Sequence, residues 1–284
     1  MKDMLVVITG ANAGIGKETS LRLAKLGAHV VMVCRDEGRG KKALQDIKVI
    51  TGNKKIDLML CDFSSLNSIS SFVEKFKKEY DKVDVLLNNH GAVFLKKRIT
   101  ENGYESTFAV NHLGYFALTL QLLDLVKASD YSRIVSVASA SNYNVKELRI
   151  DDYNWEKRRY NMLKAYSESK LYNIMFTFYL ANKLKNTAVT VNCLHPGFIR
   201  TDLGINHTIL KPLNAIVKRK AKPVKEGAET SVYLASSPEV EKVTGKYYHI
   251  MEVREPNKLA LDKTKQKELW NLSLQLTGLP RNLV

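Results

Sequence analysis

LVVITGANAGIG, residues 5–16, is the stretch of sequence that decides the fold. Its first part, Leu5–Thr9, is a short apolar run that predicts a buried strand, and three glycines follow it. Gly10 permits a tight turn, Gly14 lets the backbone approach a pyrophosphate, and Gly16 allows a helix to pack closely on the strand. Apolar side chains at helical spacing come next, so the start of a helix can hold phosphates. This context favours a dinucleotide loop over a glycine turn without a ligand.

Short β-branched runs alternate with helix-length segments along most of the chain. The predicted strands are Leu5–Thr9, His29–Cys34, Ile56–Cys61, Val83–Asn88, Arg133–Val137, Val189–Leu194 and Lys246–Ile250. They are nearly continuous apolar runs, which is typical of strands covered on both faces of a parallel sheet. The alternation predicts an α/β fold: a single-domain, Rossmann-type, doubly wound parallel sheet of about seven strands with helices on both faces. No linker or repeat divides residues 1–284. We expect a cofactor half over about 1–138 and a catalytic and substrate half over about 139–284.

Composition and charge exclude several classes of protein. The 284 residues are 45% hydrophobic and 26% charged, which indicates a globular chain with a substantial core. Lys and Arg number 44 against 29 for Asp and Glu, a net charge of +15. The basic residues are spread along the chain without interleaved aromatic residues, so we expect no nucleic-acid partner. Most of the basic surface is expected to be solvated.

The cysteines and the apolar runs bear on the compartment. Cys34, Cys61 and Cys193 are too few and too dispersed for a disulfide framework or a metal site, which favours a reducing compartment. No run approaches the roughly 18 apolar residues that a membrane span requires, so we expect no transmembrane anchor. The N-terminus does not have the pattern of a signal peptide. We therefore expect a cytoplasmic protein.

The end of the second strand bears on which nucleotide the loop binds. An NAD site usually has an acidic residue about 20 residues beyond the glycines, bound to the ribose 2′-hydroxyl. Here the strand ends in Arg35, followed by Asp36. A guanidinium group can pair with a 2′-phosphate, so NADP(H) is preferred over NAD(H). The neighbouring Asp36 leaves NAD open, and Arg35 as a solvated surface residue is the alternative.

A tyrosine and a lysine form the clearest candidate for catalysis. Tyr166 and Lys170 are four residues apart, so on a helix they share one face. A nearby ammonium favours a phenolate, which should lower the tyrosine pKa from about 10 towards the range useful for proton transfer. The segment NNHG, residues 88–91, follows one predicted strand and Ser139 follows another. Together these residues favour the active site of an enzyme over exposed side chains without a function.

With these motifs the chain resembles the short-chain dehydrogenases/reductases, from Leu5 to about Gly278. It is most similar to their retinol-dehydrogenase-like branch, although protochlorophyllide reductases and other carbonyl reductases share much of the pattern. The branch-like segments are CRD at 34–36, FAVNHLG at 108–114, HPG at 195–197, EGAET at 226–230, and the ending from LW at 269–270 to LTG at 276–278.

The resemblance implies a catalytic tetrad. Tyr166 would donate the proton in reduction and accept it in oxidation, and Lys170 would lower the tyrosine pKa and bind the nicotinamide ribose. Ser139 would hydrogen-bond the substrate oxygen, and Asn111 would hold a water that links Lys170 to a proton relay. The implied cofactor contacts are Gly10, Asn12, Gly14, Ile15, Gly16, Arg35, Asp62, Phe63, Asn88, Gly91, Tyr166, Lys170, Pro196, Gly197 and Thr201.

One residue near the implied adenine site departs from the family pattern. His90 stands where the family usually has alanine. It could crowd the cofactor or add a stacking surface, but we interpret it as a strand-end histidine without a chemical role. Ser136 and Ala138 also differ from the branch, and we expect only small effects there.

Two irregular segments should border the substrate, because ligands bind beyond the carboxyl ends of parallel strands. The first, 140–165, contains Tyr143, Tyr153, Trp155 and Tyr160, and the second, 198–224, contains Leu203, Ile205, Ile209, Leu210 and Leu213, followed by Lys218, Arg219 and Lys220. We interpret them as a hydrophobic lid, the alternative being that they cover the core or a neighbouring subunit. The apolar run 171–176 on the Tyr166 helix resembles the face that pairs in family dimers, so we expect a homodimer.

The resemblance implies an NADP(H)-dependent oxidoreductase that interconverts an alcohol and an aldehyde or ketone. The substrate would be hydrophobic, whether retinoid-like, steroid-like or otherwise lipophilic, and Tyr166 would act as general acid/base beside a hydride transfer. A non-catalytic NADPH-binding scaffold or sensor is the alternative.

Overall fold

A single twisted sheet forms the centre of the protein. The computed structural model describes residues 1–199 and 222–284. Within them the sheet has eight strands in the order β3-β2-β1-β4-β5-β6-β7-β8. The strands are β1 (Leu5–Thr9), β2 (His29–Cys34), β3 (Ile56–Leu60), β4 (Val85–Asn88), β5 (Ser132–Val137), β6 (Val189–Leu194), β7 (Tyr247–His249) and β8 (Glu252–Arg254). The strand order reverses beside β1, so the predicted Rossmann-type sheet is confirmed.

The eighth strand was not predicted. β1 to β7 are parallel, whereas β8 pairs antiparallel with β7 through a tight turn at Ile250 and Met251. Both turn residues have positive φ, 50° and 60°. The three residues of β8 are exposed and two of them are charged, so they carry no buried-strand pattern.

Helices cover both faces of the sheet. They are α1 (Gly14–Lys25), α2 (Glu37–Thr51), α3 (Leu66–Glu79), α4 (Ser106–Phe108), α5 (Gly114–Gln121), α6 (Leu123–Lys127), α7 (Met162–Lys183), α8 (Val224–Ser236) and α9 (Lys263–Thr277). A π-helical turn, Ala109–Leu113, joins α4 to α5. The assignment of separate roles to the halves before and after about residue 138 stays a prediction.

The central strands β2, β1, β4, β5 and β6 bury side chains on both faces, which explains the continuous apolar runs. Val6 and Ile8 of β1 pack with α1, α2 and α8, while Val7 packs on the other face with α3, α5, α7 and α9. All three side chains are fully buried. Burial of one such aliphatic side chain contributes about 1.5–3 kcal/mol, so the two helical layers fix the strand register and the loops at its end.

The helix that carries the tyrosine is buried within this chain. In α7, Leu171, Ile174 and Met175 are fully buried, and Phe176 stacks on Trp270 of α9 with ring centroids 6.1 Å apart. The run 171–176 therefore packs on the chain's own α9 and neighbouring segments. The expectation that it presents an apolar face to a partner is wrong, and a homodimer stays untested.

Two further features concern the described residues as a whole. None of the helices in the described ranges 1–199 and 222–284 is long and apolar enough to cross a membrane. Cys34, Cys61 and Cys193 are all buried free thiols.

Candidate active site

The site residues gather where four neighbouring parallel strands end. β1 runs into Gly10, β4 ends at Asn88, β5 is followed by Ser139, and β6 is followed by Pro196. Because these strands are parallel and adjacent, their carboxyl ends lie at one edge of the sheet. The order reversal beside β1 opens a crevice there, which is where doubly wound folds bind ligands.

The glycine loop has the shape that a pyrophosphate requires. Gly10 and Gly14 have positive φ of 65° and 53°. A Cβ atom on Gly16 would lie 2.4 Å from the Gly10 carbonyl oxygen, so no larger residue fits. The helix α1 begins at Gly14 after Ala13, whose side chain has no polar atom to cap it. Its first amides and dipole therefore face the crevice as an anion-binding site, and the residues present fit a dinucleotide.

Asn89, which lies in the segment NNHG but is not among the predicted site residues, connects the end of β4 to the glycine loop. Its Nδ2 donates to the Thr9 carbonyl at 2.8 Å, and its backbone N–H donates to Thr9 Oγ1 at 2.8 Å. A Cβ on Gly10 would lie 2.9 Å from the His90 Cα. The two loops are therefore in direct contact, and each limits the position of the other.

At the nucleoside end, Arg35 and Asp62 face each other across the ends of β2 and β3. The Arg35 guanidinium lies 3.8 Å from Asp62 Oδ2, and 74% of its side chain is exposed. Asp36 is otherwise occupied: its side chain caps α2 by accepting a bond from the Arg39 N–H at 2.8 Å. Asp62 Oδ1 accepts bonds from both the backbone and the hydroxyl of Ser64, which fixes this turn.

Asn88 has one side-chain polar atom without a hydrogen-bond partner among the described residues. Its Nδ2 donates to Thr119 Oγ1 at 2.9 Å. Its Oδ1 is buried and has no hydrogen-bond partner among the described residues. An unpaired buried amide oxygen costs about 1–3 kcal/mol. The contact of Asn88 with a cofactor stays a prediction.

Tyr166 and Ser139 come together from different elements. Asn161 caps α7 by accepting a bond from Lys164 N–H, which places Tyr166 in the second turn of the helix. Ser139 follows β5 and begins a short 3₁₀ turn, Ala140–Asn144. Burial raises the pKa of Tyr166 to about 12, and a hydrogen bond with Ser139 acts in the opposite direction. The lowering of the pKa predicted from the Tyr–Lys spacing is therefore absent from this structure, because desolvation of Tyr166 is the larger of the two effects.

Lys170 is buried between Tyr166 of its own helix and Tyr115 of α5. Its Nζ donates to the Val137 carbonyl at 2.9 Å and lies 5.7 Å from the Tyr166 ring centroid and 5.6 Å from that of Tyr115. Burial lowers the pKa of Lys170 to about 7. A Cβ on Gly91 would lie 3.3 Å from this Nζ, so Gly91 leaves the room that the lysine occupies.

Asn111 lies in the π-helical turn and connects the group. Its Oδ1 accepts a bond from the Ala92 N–H at 2.8 Å, and its Nδ2 donates to the Ala92 carbonyl and to Ser169 Oγ, both at 3.0 Å. Ser169 Oγ donates in turn to the Tyr166 carbonyl at 2.7 Å. The four candidate residues thus form one group, in which Lys170 and Asn111 are buried and Tyr166 and Ser139 are half-buried.

The segment after β6 borders the other side of the crevice. Gly197 has a φ of 87°, and its N–H donates to His195 Nδ1 at 3.2 Å. The His195 ring stacks on His249 with centroids 3.8 Å apart. Burial, with His249 nearby, lowers the pKa of His195 to about 4. Thr201, the leucines and isoleucines of the expected lid, and the basic residues 218–220 lie outside the described residues.

Comparison with known proteins decides the family. A family model described as short chain dehydrogenase matches residues 4–151 and 154–209. Retinol dehydrogenase 14 of Homo sapiens is 41% identical to this chain, over 98% of the chain and 88% of that protein. The chain belongs to the short-chain dehydrogenase family.

Other relatives of this short-chain dehydrogenase agree on its branch and its fold. Retinol dehydrogenase 13 of Homo sapiens is 39% identical, over 96% of this chain and 84% of that protein. A crystal structure from Mycobacterium paratuberculosis is 30% identical, with a TM-score of 0.78 over 98% of this chain and 94% of that one. An actinorhodin polyketide ketoreductase variant solved with NADPH is 26% identical, with a TM-score of 0.67 over 87% of this chain and 96% of that one. The retinol-dehydrogenase-like resemblance is confirmed.

The aromatic residues of the first irregular segment mostly support the core of this short-chain dehydrogenase. Trp155 is only 4% exposed, and the Arg158 guanidinium covers its ring at 3.8 Å. Tyr160 donates its hydroxyl proton to the Phe94 carbonyl at 2.9 Å. Trp155 and Tyr160 therefore cover the core rather than form a lid over the substrate, because they hold the segment against the loop after β4. Tyr143 remains 48% exposed.

An ion-pair network close to Tyr166 along α7 was not predicted from the sequence. Arg158 donates to both oxygens of Glu168, at 2.6 and 2.7 Å, and to Asp152 Oδ2 at 2.9 Å. Both carboxylates are buried. Glu168 is two residues beyond Tyr166, so the network clamps the first turns of α7 to the segment 150–160. These ion pairs could not be predicted from the sequence, because Arg158 lies in a run of charged residues that resembles a solvated loop.

Proposed function

We propose that the protein is an NADP(H)-dependent oxidoreductase that interconverts an alcohol and a lipophilic aldehyde or ketone. The observation that carries the proposal is the group of Tyr166, Ser139, Lys170 and Asn111 beside the glycine loop. A nucleotide-binding scaffold would need the loop but not this group.

The chain offers complementary groups along the whole length of a dinucleotide. The amides of Gly14, Ile15 and Gly16 would bind the phosphates, Asp62 and the Phe63 backbone the adenine, and Lys170 the nicotinamide ribose. When bound, the nicotinamide supplies or accepts the hydride. Gly197, with its positive φ, lets the backbone approach the nicotinamide side closely.

Proton transfer is assigned to the chain's own residues. In reduction, the Tyr166 hydroxyl donates its proton to the substrate oxygen while Ser139 donates a hydrogen bond to the same atom. Charge that develops on that oxygen is thereby stabilised. The Lys170 ammonium favours the resulting phenolate, and Asn111 holds the backbone at Ala92 beside it. In oxidation the same groups act in reverse, with the phenolate as base.

Two features of the β2 end support NADP(H) over NAD(H). Arg35 projects into solvent, and among the described residues its guanidinium approaches only Asp62, at 3.8 Å, a distance too long for a strong bond. Asp36, the residue that could bind a ribose 2′-hydroxyl, is occupied in capping α2. The ketoreductase relative was solved with NADPH, which agrees with this preference.

The lipophilic substrate is inferred from the relatives and from one exposed side chain. The relatives in this branch are named retinol dehydrogenases, so a retinoid is the first candidate. Phe198, directly after Gly197, is 58% exposed and adds an apolar surface next to the nicotinamide side.

The activity is tested with Tyr166→Phe against a matched Tyr172→Phe. Loss of NADPH absorbance would be followed over a panel of lipophilic aldehydes and ketones that includes retinal. Removing a general acid should lower kcat by about 10²–10⁴-fold for Tyr166→Phe. Tyr172 is buried on the same helix and its hydroxyl has no partner among the described residues, so Tyr172→Phe should retain activity. If the folded wild type binds NADPH but reduces no carbonyl, the scaffold interpretation replaces the proposal.

The cofactor preference is tested with Arg35→Ala against Lys42→Ala. Both side chains are strongly exposed, at 74% and 80%, and each variant removes one positive charge. Loss of a charged bond to the 2′-phosphate should raise the KM for NADPH about tenfold or more in Arg35→Ala and leave that for NADH unchanged. Equal changes in the two variants would show that only overall charge matters.

A further inference from the structure

We propose that His90 is a positioning residue that fixes the turn carrying Asn111 and couples it to the adenine end of the cofactor site. The proposal rests on the proposed function, in which Asn111 serves proton transfer. It assigns a role to a residue interpreted from the sequence as a strand-end histidine without a chemical role.

The hydrogen bonds of the His90 ring determine its tautomer. His90 is 7% exposed, and its Nε2 lies 2.8 Å from the Val110 carbonyl oxygen. A carbonyl only accepts, so Nε2 carries the proton and donates. The other nitrogen, Nδ1, must then accept in the neutral ring, and its partner is the Thr9 hydroxyl at 2.9 Å. Burial lowers the pKa of His90 to about 3, so the ring stays neutral and serves as a fixed link.

The bond to Val110 reaches an irregular part of the helix. Val110 and Asn111 lie in the π-helical turn Ala109–Leu113, where the Gly114 N–H donates to the Ala109 carbonyl five residues earlier. π-helical turns are rare and occur mostly as single turns within α-helices, frequently at functional sites. His90 supplies support on both sides of Asn111, because its own carbonyl accepts a bond from the Tyr115 hydroxyl at 2.6 Å.

One face of the His90 ring packs on Phe63, at the nucleoside end of the crevice. It stacks on Phe63 with ring centroids 3.6 Å apart and an interplanar angle of 10°. Phe63 follows Asp62, the residue at the nucleoside end of the crevice. A Cβ on Gly114 would lie 3.0 Å from His90 Nε2 and 3.2 Å from Phe63 Cβ, so the helix leaves room for this stack. A movement of the Asp62–Phe63 turn is therefore transmitted through one rigid ring to Val110.

Two substitutions separate the stack from the hydrogen bond. His90→Phe keeps an aromatic ring against Phe63 but removes the donor to Val110, while the Thr9 hydroxyl retains the Leu87 carbonyl at 3.3 Å as an acceptor. His90→Gln keeps an amide donor at a similar distance from the backbone but removes the ring. Three quantities would be measured: NADPH dissociation constants by fluorescence, kcat and KM, and hydrogen–deuterium exchange of a peptide covering 109–115.

The proposal predicts opposite patterns in the two variants. In His90→Phe, exchange in 109–115 should accelerate and kcat should fall about tenfold, with NADPH affinity within about twofold of wild type. In His90→Gln, exchange and kcat should remain within about threefold of wild type, while NADPH affinity falls several-fold because the aromatic pair is lost.

The exchange and binding measurements do not depend on catalysis. If the wild type reduces no carbonyl, the proposed function fails, yet exchange in 109–115 still decides the role of His90. Unchanged exchange and kcat in His90→Phe would overturn the proposal. So would an equal loss of affinity, kcat and thermal stability in both variants, which would mark His90 as a packing residue only. If His90→Phe does not fold, retention of exchange and kcat by His90→Gln remains the deciding result.

Discussion

Replacing Lys170 by methionine should stabilise the protein in mild acid, even though it removes a residue of the candidate active site. Burial lowers the pKa of Lys170 from 10.5 to about 7. That shift corresponds to about 5 kcal/mol of destabilisation, present in full below pH 7, where the folded protein must hold a buried ammonium. Between about pH 7 and 10.5 the unfolded chain binds the extra proton, so wild-type stability rises with pH across this window.

The stability of Lys170→Met has no such dependence on pH, but this variant loses one hydrogen bond. Without Lys170 the Val137 carbonyl loses its donor at 2.9 Å, which costs about 1–3 kcal/mol at any pH. Lys170→Met should therefore be more stable than wild type by about 2–4 kcal/mol at pH 6. At pH 9.5 most of this advantage should be gone, because the relative stability changes by about 3 kcal/mol between the two pH values.

Urea unfolding at pH 6 and pH 9.5 would measure this difference for wild type, Lys170→Met and Lys164→Met. Lys164 is exposed in the first turn of the same helix, so its substitution should have the same small effect at both pH values. If the difference between wild type and Lys170→Met were equal at the two pH values, the lysine would have an ordinary pKa and the reasoning would be refuted.

Two other substitutions test features that support the site. Arg158→Ala should destabilise the protein by about 3–5 kcal/mol in urea unfolding, because two buried carboxylates lose their cation, whereas exposed Arg159→Ala should change stability by less than about 0.5 kcal/mol. An equal loss of stability in Arg158→Ala and Arg159→Ala would show that the ion-pair network contributes nothing to the free energy of unfolding. Gly16→Ala should weaken NADPH binding by at least about tenfold in a fluorescence titration, since its Cβ would overlap the Gly10 carbonyl. Gly38→Ala, whose Cβ meets its nearest atom at 3.6 Å, should bind normally and gain up to about 1 kcal/mol of stability; NADPH binding at wild-type strength by Gly16→Ala would contradict this account.

The parts of the molecule that the sequence predicts well are those that short stretches determine. β1, β2 and β6 occupy the ranges predicted for them, because each strand is an apolar run bounded by turn residues. The positive φ of Gly10 and Gly14 follows from a local requirement of the loop. Tyr166 and Lys170 share one face because four residues make about one helical turn.

The features that the sequence did not predict depend on partners far along the chain. Arg158 meets Glu168 only because the segment 150–160 folds back on α7. The π-helical turn at Asn111 has no local composition signal, and its support from His90 comes from 20 residues earlier. The direction of the Tyr166 pKa shift depends on burial, which the spacing of Tyr166 and Lys170 cannot report.

The antiparallel strand β8 limits how this sheet can be extended by another chain. An exposed parallel edge at β7 would offer a row of free amides and carbonyls to any strand of matching length. Instead the edge is closed by three residues, of which Glu252 and Arg254 are charged and paired with each other. The left-handed turn at Ile250 and Met251 ends the ladder abruptly. On this side, assembly through a continuous intermolecular sheet is disfavoured, and a second copy would have to dock through helices or loops.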